Sequence, residues 1–195
     1  IDVIFNGIDI NEFKPVKNKK LGKKIILIST GRLIKRKGYE YLIKVLHQNR
    51  DYELWLIGEG NQENYLKNLS RKLKVDVKFL GKKPHKDIPK YLQKADIFIL
   101  PSLNEGMSNS ILEAMASGLP VITTDTGGAS ELIRGNGYIV KKEDPESITK
   151  ALNNYIKNRK LIKMHGFQSR KITEKMSWKN VAQKYREIYN DNSKR

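Results

Sequence analysis

The sequence has no cysteine among its 195 residues and only three histidines. Disulfides and thiolate metal sites are thereby excluded, and a reducing compartment is the fitting one, so a cytoplasmic location is expected. His47, His85 and His165 show no metal-ligand spacing; each reads as a surface residue, and no bound metal is expected. No apolar run approaches the roughly 18 residues that a membrane-spanning helix needs. Acidic residues are scarce beside basic ones, 21 against 38, for a formal net charge of +17. That excess favours phosphates, nucleic acid or an anionic membrane surface as partners. A lysine-rich composition that puts lysine on every solvated face explains it as well, because the lysines run along the whole chain. Aromatic residues make up only 8% and are not interleaved with basic ones as stacking platforms. Without a nucleic-acid-binding motif, no nucleic-acid partner is expected. No Ser-His-Asp order and no paired-acid hydrolase site stands out either.

What is present is an alternation of short apolar runs with amphipathic stretches, and 38% hydrophobic residues suffice for a packed core. Strands are predicted at residues 24–30, 52–57, 75–80, 97–100, 119–123 and 138–140. Helices are predicted from Leu42, Ile43 and Leu46, from Leu66, Leu69 and Leu73, and from Ile88, Tyr91, Leu92 and Ala95. Asp144-Pro145-Glu146 starts another, with proline and acid in its first turn. The last begins near Ser177, with Trp178, Val181, Ala182, Tyr185, Ile188 and Tyr189 on one face. Right-handed crossovers then give an α/β fold, a doubly wound, Rossmann-like parallel sheet. Residues 1–20 are expected to hold a first strand and an interdomain linker, residues 21–176 the Rossmann-like domain, and residues 177–195 a closing helix. A chain that opens on strand-like Ile1, Val3 and Ile4 without a start methionine also suggests an amino-terminal partner domain.

The most informative stretch is residues 96–118. The run Ile97-Phe98-Ile99-Leu100 has the pattern of a parallel strand covered on both faces. Pro101 ends it, Ser108 or Asn109 is placed to cap a helix, and Ile111, Leu112, Met115 and Ala116 give that helix an apolar face. The turn between them lies at a strand's carboxyl end, where open α/β sheets bind ligands. The helix offers unpaired N–H groups and the positive end of its dipole to an anion. Glu105 and Glu113 flank the site with seven residues between them. A phosphate-bearing ligand with hydroxyls on either side suits this arrangement.

Three other stretches bear on it. Gly31-Arg32 through Lys37-Gly38 follows the first apolar run: a glycine permits close backbone approach, Arg32 supplies a planar fork of donors and Lys37 a mobile charge. Both cations suit a diphosphate, although an ordinary basic loop has the same composition. Gly58-Glu59-Gly60 reads as a turn, since Glu63 stands where a third glycine would complete a dinucleotide fingerprint. Lys82-Lys83-Pro84-His85 is a loop at another strand's carboxyl end, so it is placed to face the same cleft. Lys86, Lys90 and Lys94 beyond it form a cationic stripe that suits either solvent or anionic lipid.

Taken together these residues resemble a known family. Asn6-Gly7-Ile8-Asp9 with Phe13 and Pro15, Gly31-Arg32-Leu33 with Lys37-Gly38, Pro101-Ser102, and Glu105-Gly106 through Glu113-Ala114-Met115 resemble glycosyltransferase family 4. The match is to the carboxy-terminal, donor-binding half of the GT-B fold and runs from Asn6 to about Tyr189. The resemblance implies transfer of a sugar, with retention, from a nucleotide sugar, most readily a UDP-sugar, without metal or other cofactor. It implies that Arg32 and Lys37 bind the donor diphosphate and offset leaving-group charge. It implies that Glu113 binds the ribose hydroxyls and that Glu105 lies beside the donor sugar as electrostatic support. Backbone at Gly31, Gly106, Met107 and Ser108 would hold phosphate and sugar hydroxyls, and main chain near Lys83 would meet the base. Gly106-Met107-Ser108-Asn109 departs from the Gly-Phe-Gly-Leu of many members, which bears on the choice of sugar. The acceptor, a glycan or a lipid-linked glycan for a surface polysaccharide or glycoconjugate, would be held by an amino-terminal domain to which the closing helix crosses back. The inner membrane face is then a candidate location. A chain of this half alone is expected to bind donor and transfer little. A non-catalytic nucleotide-sugar-binding module on the same fold, or a basic nucleic-acid-binding domain, are the other readings.

Overall fold

Continuous apolar runs become the strands. The computed structural model describes residues 4–192, so the strand-like Ile1 and Val3 lie outside the described residues. The strands are β1 (Ile25–Thr30), β2 (Tyr52–Ile57), β3 (Val77–Phe79), β4 (Ile97–Leu100), β5 (Val121–Thr124) and β6 (Gly137–Val140). They form one parallel sheet in the order β3-β2-β1-β4-β5-β6. The order reverses between β1 and β4, which makes the crevice beyond their carboxyl ends the switch point of the sheet. β4 and β5 are buried along their whole length, the condition for apolar runs with no alternation. Phe98, fully buried at the centre, would cost about 3–5 kcal/mol if cut back to alanine.

The helices are α1 (Tyr39–Leu46), α2 (Glu63–Leu73), α3 (Ile88–Lys94), α4 (Asn109–Ala116), α5 (Ala129–Leu132), α6 (Pro145–Lys157), α7 (Lys160–Glu174) and α8 (Trp178–Asn192). α1 packs against α2 and α6, and α4 packs against α7. α6 starts as its sequence dictates: the Asp144 carboxylate accepts the Ser147 N–H at 3.1 Å, with Pro145 next to it. β3 is three residues long where six were expected, because only Leu54, Trp55 and Leu56 of β2 pair with it. β5 begins two residues later than expected, after Pro120, whose missing N–H cannot join the ladder. α7 is an element that the periodicity did not predict.

The expected linker is tied down rather than loose. Phe13 is buried in the core, and Arg170 Nη1 donates to the carbonyls of Ile10, Phe13 and Ala116 at 2.9–3.0 Å. Asp9 accepts the N–H groups of Asn11 and Glu12, at 2.8 and 3.0 Å. These bonds hold its carboxyl below the usual carboxylate range. From Ile4 to Lys20 there is one isolated bridge, Ile8 with Ser177, and no strand. Along α8, Val181 is buried, while Trp178, Tyr185 and Tyr189 stand 59%, 47% and 72% exposed.

Candidate functional site

Three loops meet at the carboxyl ends of β1, β3 and β4. The first runs from Gly31 through a short 3-10 turn at Lys35–Lys37 to Gly38. Gly38 has φ 68°, and a Cβ there would sit 2.1 Å from the Pro101 carbonyl oxygen, so only glycine lets the loop press against the one that follows β4. The Leu103 N–H donates to the Arg36 carbonyl at 2.7 Å and fixes the contact. The result is an ion pair: Lys37 Nζ lies 2.6 Å from Glu105 Oε1, with side chains 10% and 12% exposed. That oxygen has no further hydrogen bond. On the other side, Gly127 at φ 50° has room for no side chain, because a Cβ would meet the Glu105 carbonyl oxygen at 2.1 Å. Arg32 is placed differently: it is exposed, and its side chain makes no hydrogen bond or ion pair among the described residues. Lys37 and Glu105 are therefore brought together, and Arg32 stands apart from both.

The second loop leads into α4. Ser108 occupies the N-cap position, but its side chain does not cap the helix; its Oγ lies 2.8 Å from Ser110 Oγ. The N–H groups of Gly106, Met107, Ser108 and Asn109 make no hydrogen bond among the described residues. This leaves an open helix amino end with its dipole directed at the crevice. The hydroxyls of Thr30, at the end of β1, and Ser102, just past β4, are buried without a partner among the described residues. An unmet buried hydroxyl costs about 1–3 kcal/mol, so both are marked for a ligand or water. Asn6 also reaches this corner: its N–H meets Met107 Sδ at 3.2 Å and its amide donates to Asn109 Oδ1 at 2.9 Å.

Glu113 sits one turn into α4 and is 13% exposed. Burial pushes its carboxyl above the ordinary value, and the hydrogen bond from His85 works against that. His85 Nε2 lies 2.9 Å from Glu113 Oε1, and the imidazole packs against the Phe13 ring at 5.4 Å between centroids. His85 comes from the third loop, after β3, which does face the crevice. It is 65% exposed, and sequence reasoning took it only as a surface residue. The signal was its place beside Pro84 at a strand's carboxyl end. In the same loop Lys83 lays its ammonium 5.9 Å over the Tyr91 ring. Among the described residues no group of His, Asp or Glu is disposed to hold a metal ion. A cavity of about 340 Å³ lies at the other end of the sheet, by Asp96 and Leu119, which precede β4 and β5.

Residues 10–172 match the family described as Glycosyl transferases group 1. A Corynebacterium glutamicum relative, the GDP-mannose-dependent monoacylated alpha-(1-6)-phosphatidylinositol monomannoside mannosyltransferase, is 32% identical over 75% of this chain and 44% of its own length. An Escherichia coli relative, the UDP-Gal:alpha-D-GlcNAc-diphosphoundecaprenol alpha-1,3-galactosyltransferase, is 33% identical over 78% of this chain and 44% of its own. Anabaena HepE, solved in complex with UDP, has the same fold at TM-score 0.87 and 24% identity, over 97% of this chain and 57% of that one. The chain spans about half the length of the curated relatives it matches. With its sheet order, its crevice and this match in hand, the chain belongs to the glycosyl transferases group 1 family, and its sheet is one Rossmann-like half of a GT-B fold.

Proposed function

We propose that this chain is the donor-binding half of a retaining, metal-independent glycosyltransferase that takes its sugar from a UDP-sugar. One observation carries the reading: an open helix amino end lies one turn from a nearly buried carboxylate, in the crevice between β1 and β4. The N–H groups of Gly106, Met107 and Ser108 receive phosphate and sugar hydroxyls. Glu113 takes the ribose hydroxyls, exchanging its bond to His85 for them. Arg32, free of any acidic partner, closes on the diphosphate with its planar fork. Lys37 bridges Glu105 to the same phosphates, and the two cations offset the charge that develops on the departing nucleotide. Glu105 stands beside the donor sugar as electrostatic support. Gly31 lets main chain approach the diphosphate, and main chain near Lys83 meets the base.

The E. coli relative's name and the Anabaena complex support UDP, and the C. glutamicum relative's name keeps GDP as the second reading. Both relatives are named for lipid-bearing acceptors, which supports a lipid-linked glycan acceptor held by the other half of the fold at the inner membrane face. Calorimetric titration of UDP into the chain tests the reading. Arg32→Ala and Glu113→Ala should each lose roughly tenfold to a hundredfold in affinity, the worth of one charge-assisted contact at about 1.5–3 kcal/mol. GDP is titrated in parallel. A chain that binds neither nucleotide, or variants that bind as the parent does, would overturn it.

A further inference from the structure

Helix α7 buries Ile162 together with three small residues, and Leu161 and Ile172 flank them against the core. Its buried positions are Ile162, Gly166, Ser169 and Thr173, and a Cβ on Gly166 would lie 2.2 Å from the Gly118 carbonyl oxygen, so the helix lies tight against the end of α4. Two large apolar residues go the other way: Met164 is 61% exposed and Phe167 72%. Lys160, Lys163 and Lys171 share that outer face, at helical spacing from both. Beside it opens the 340 Å³ cavity, with apolar walls from Leu21, Leu92, Leu119 and Phe167 and polar ones that include the paired Lys19 and Asp96. Val16 is 47% exposed. Two further lysines, Lys17 and Lys20, stand in the same loop as Val16.

None of Lys17, Lys20, Lys160, Lys163 and Lys171 has an acidic partner among the described residues, whereas acids near them are already engaged. Asp96 pairs with Lys19 at 2.9 Å and Glu174 with Arg170 at 3.0 Å. The surface is thus a set of exposed apolar side chains ringed by unpaired ammonium groups. Water alone does not favour the first, and a polyanion such as nucleic acid has no use for them. A surface that is anionic outside and apolar a few ångströms in matches both.

We propose that this face docks on an anionic phospholipid bilayer. Phe167, Met164 and Val16 enter the interface, the lysines meet headgroup phosphates, and the cavity takes part of one acyl chain. The face lies at the amino ends of the strands, opposite the candidate donor crevice, so a docked chain keeps that crevice open to water-borne nucleotide. The proposal stands independently of which nucleotide binds there.

Co-sedimentation of the chain with phosphatidylglycerol-containing vesicles, against pure phosphatidylcholine vesicles, tests it. Binding should require the anionic lipid and weaken with salt. Replacing Lys160, Lys163 and Lys171 by glutamine should lower vesicle affinity by about a hundredfold, at roughly fivefold per lysine. Met164→Ser with Phe167→Ser should lower it by about tenfold or more; both side chains are exposed, so far-ultraviolet circular dichroism should be unchanged. Glutamine at Lys72, Lys141 and Lys142, exposed elsewhere, removes the same charge and should have little effect. The idea fails if the parent chain ignores anionic vesicles, or if the two triple variants lose affinity equally. It also fails if the serine pair binds as the parent does while a single-stranded oligonucleotide displaces the vesicles. A serine pair that instead dissolves a self-associated form would make the face a contact between copies.

Discussion

At the scale of single residues, the Lys37–Glu105 pair does two things at once. It neutralises a carboxylate that is only 12% exposed, and it holds a cation at the edge of the crevice. Removing the lysine alone strands the carboxylate, and a broken, nearly buried pair costs about 3–5 kcal/mol. Lys37→Met should therefore be strongly destabilised in urea unfolding, and Lys37→Met with Glu105→Gln should recover most of the loss. A double variant as unstable as the single would show that the two do not act as a unit. Glu113 makes the opposite kind of prediction. Burial raises its folded value above the ordinary 4.5, so the folded state holds this proton more tightly than the unfolded state. That contribution is complete below 4.5 and is lost as pH rises through the raised folded value. Glu113→Gln cannot ionise, so its stability relative to the parent should grow as pH rises from the ordinary value to neutrality, while its nucleotide affinity falls. Thermal unfolding across that range decides the matter: a difference that stays flat with pH would show Glu113 ionising as freely folded as unfolded. A residue that binds better than it stabilises is what a binding site requires.

Among the elements, those with one clear signal were legible. β2 and β4 fall on the predicted bounds, since four or more apolar residues in a row between turn signals fit little else. α4 and its turn were legible because Pro101, the serine cap position and the apolar stripe agree with one another. α7 was not, for a physical reason. Its inward face mixes Ile162 with Gly166, Ser169 and Thr173, which allow close approach to α4, while its outward face carries Met164 and Phe167, so no single face holds the apolar residues. His85 was hidden in another way: only the folding of the loop after β3 onto α4 brings it to Glu113. The loop between β1 and α1 yields a prediction at this scale. Gly38→Ala forces a side chain into the left-handed region, at about 1–2 kcal/mol, and also into the Pro101 carbonyl. The total loss should exceed 2 kcal/mol by roughly the cost of moving the loop. Nucleotide affinity should fall with it, because Arg32 and Lys37 ride on that loop. If stability drops and nucleotide binding does not, the loop is structural and the diphosphate lies elsewhere.

For the whole molecule, the sheet order decides what this chain can do by itself. The crevice at the β1–β4 switch point is closed on one side by α4 and the loops around it, and nothing among the described residues covers the other side. α8 leaves Trp178, Tyr185 and Tyr189 exposed along a helix whose Val181 is buried, an arrangement suited to packing against a second layer. If that layer is the other half of the fold, donor binding and transfer separate cleanly. The 195-residue chain should bind nucleotide with the full dependence on Arg32 and Glu113, yet transfer sugar to water or to a glycan acceptor at a small fraction of the full-length rate. Proximity and exclusion of water supply much of a transferase's rate, and both need a wall on each side of the donor. Serine at Tyr185 and Tyr189 should then leave nucleotide affinity of the chain unchanged and lower transfer by the full-length protein. Turnover by the chain alone at the full-length rate would refute this division of labour, since the acceptor would then have to be held by this half of the fold.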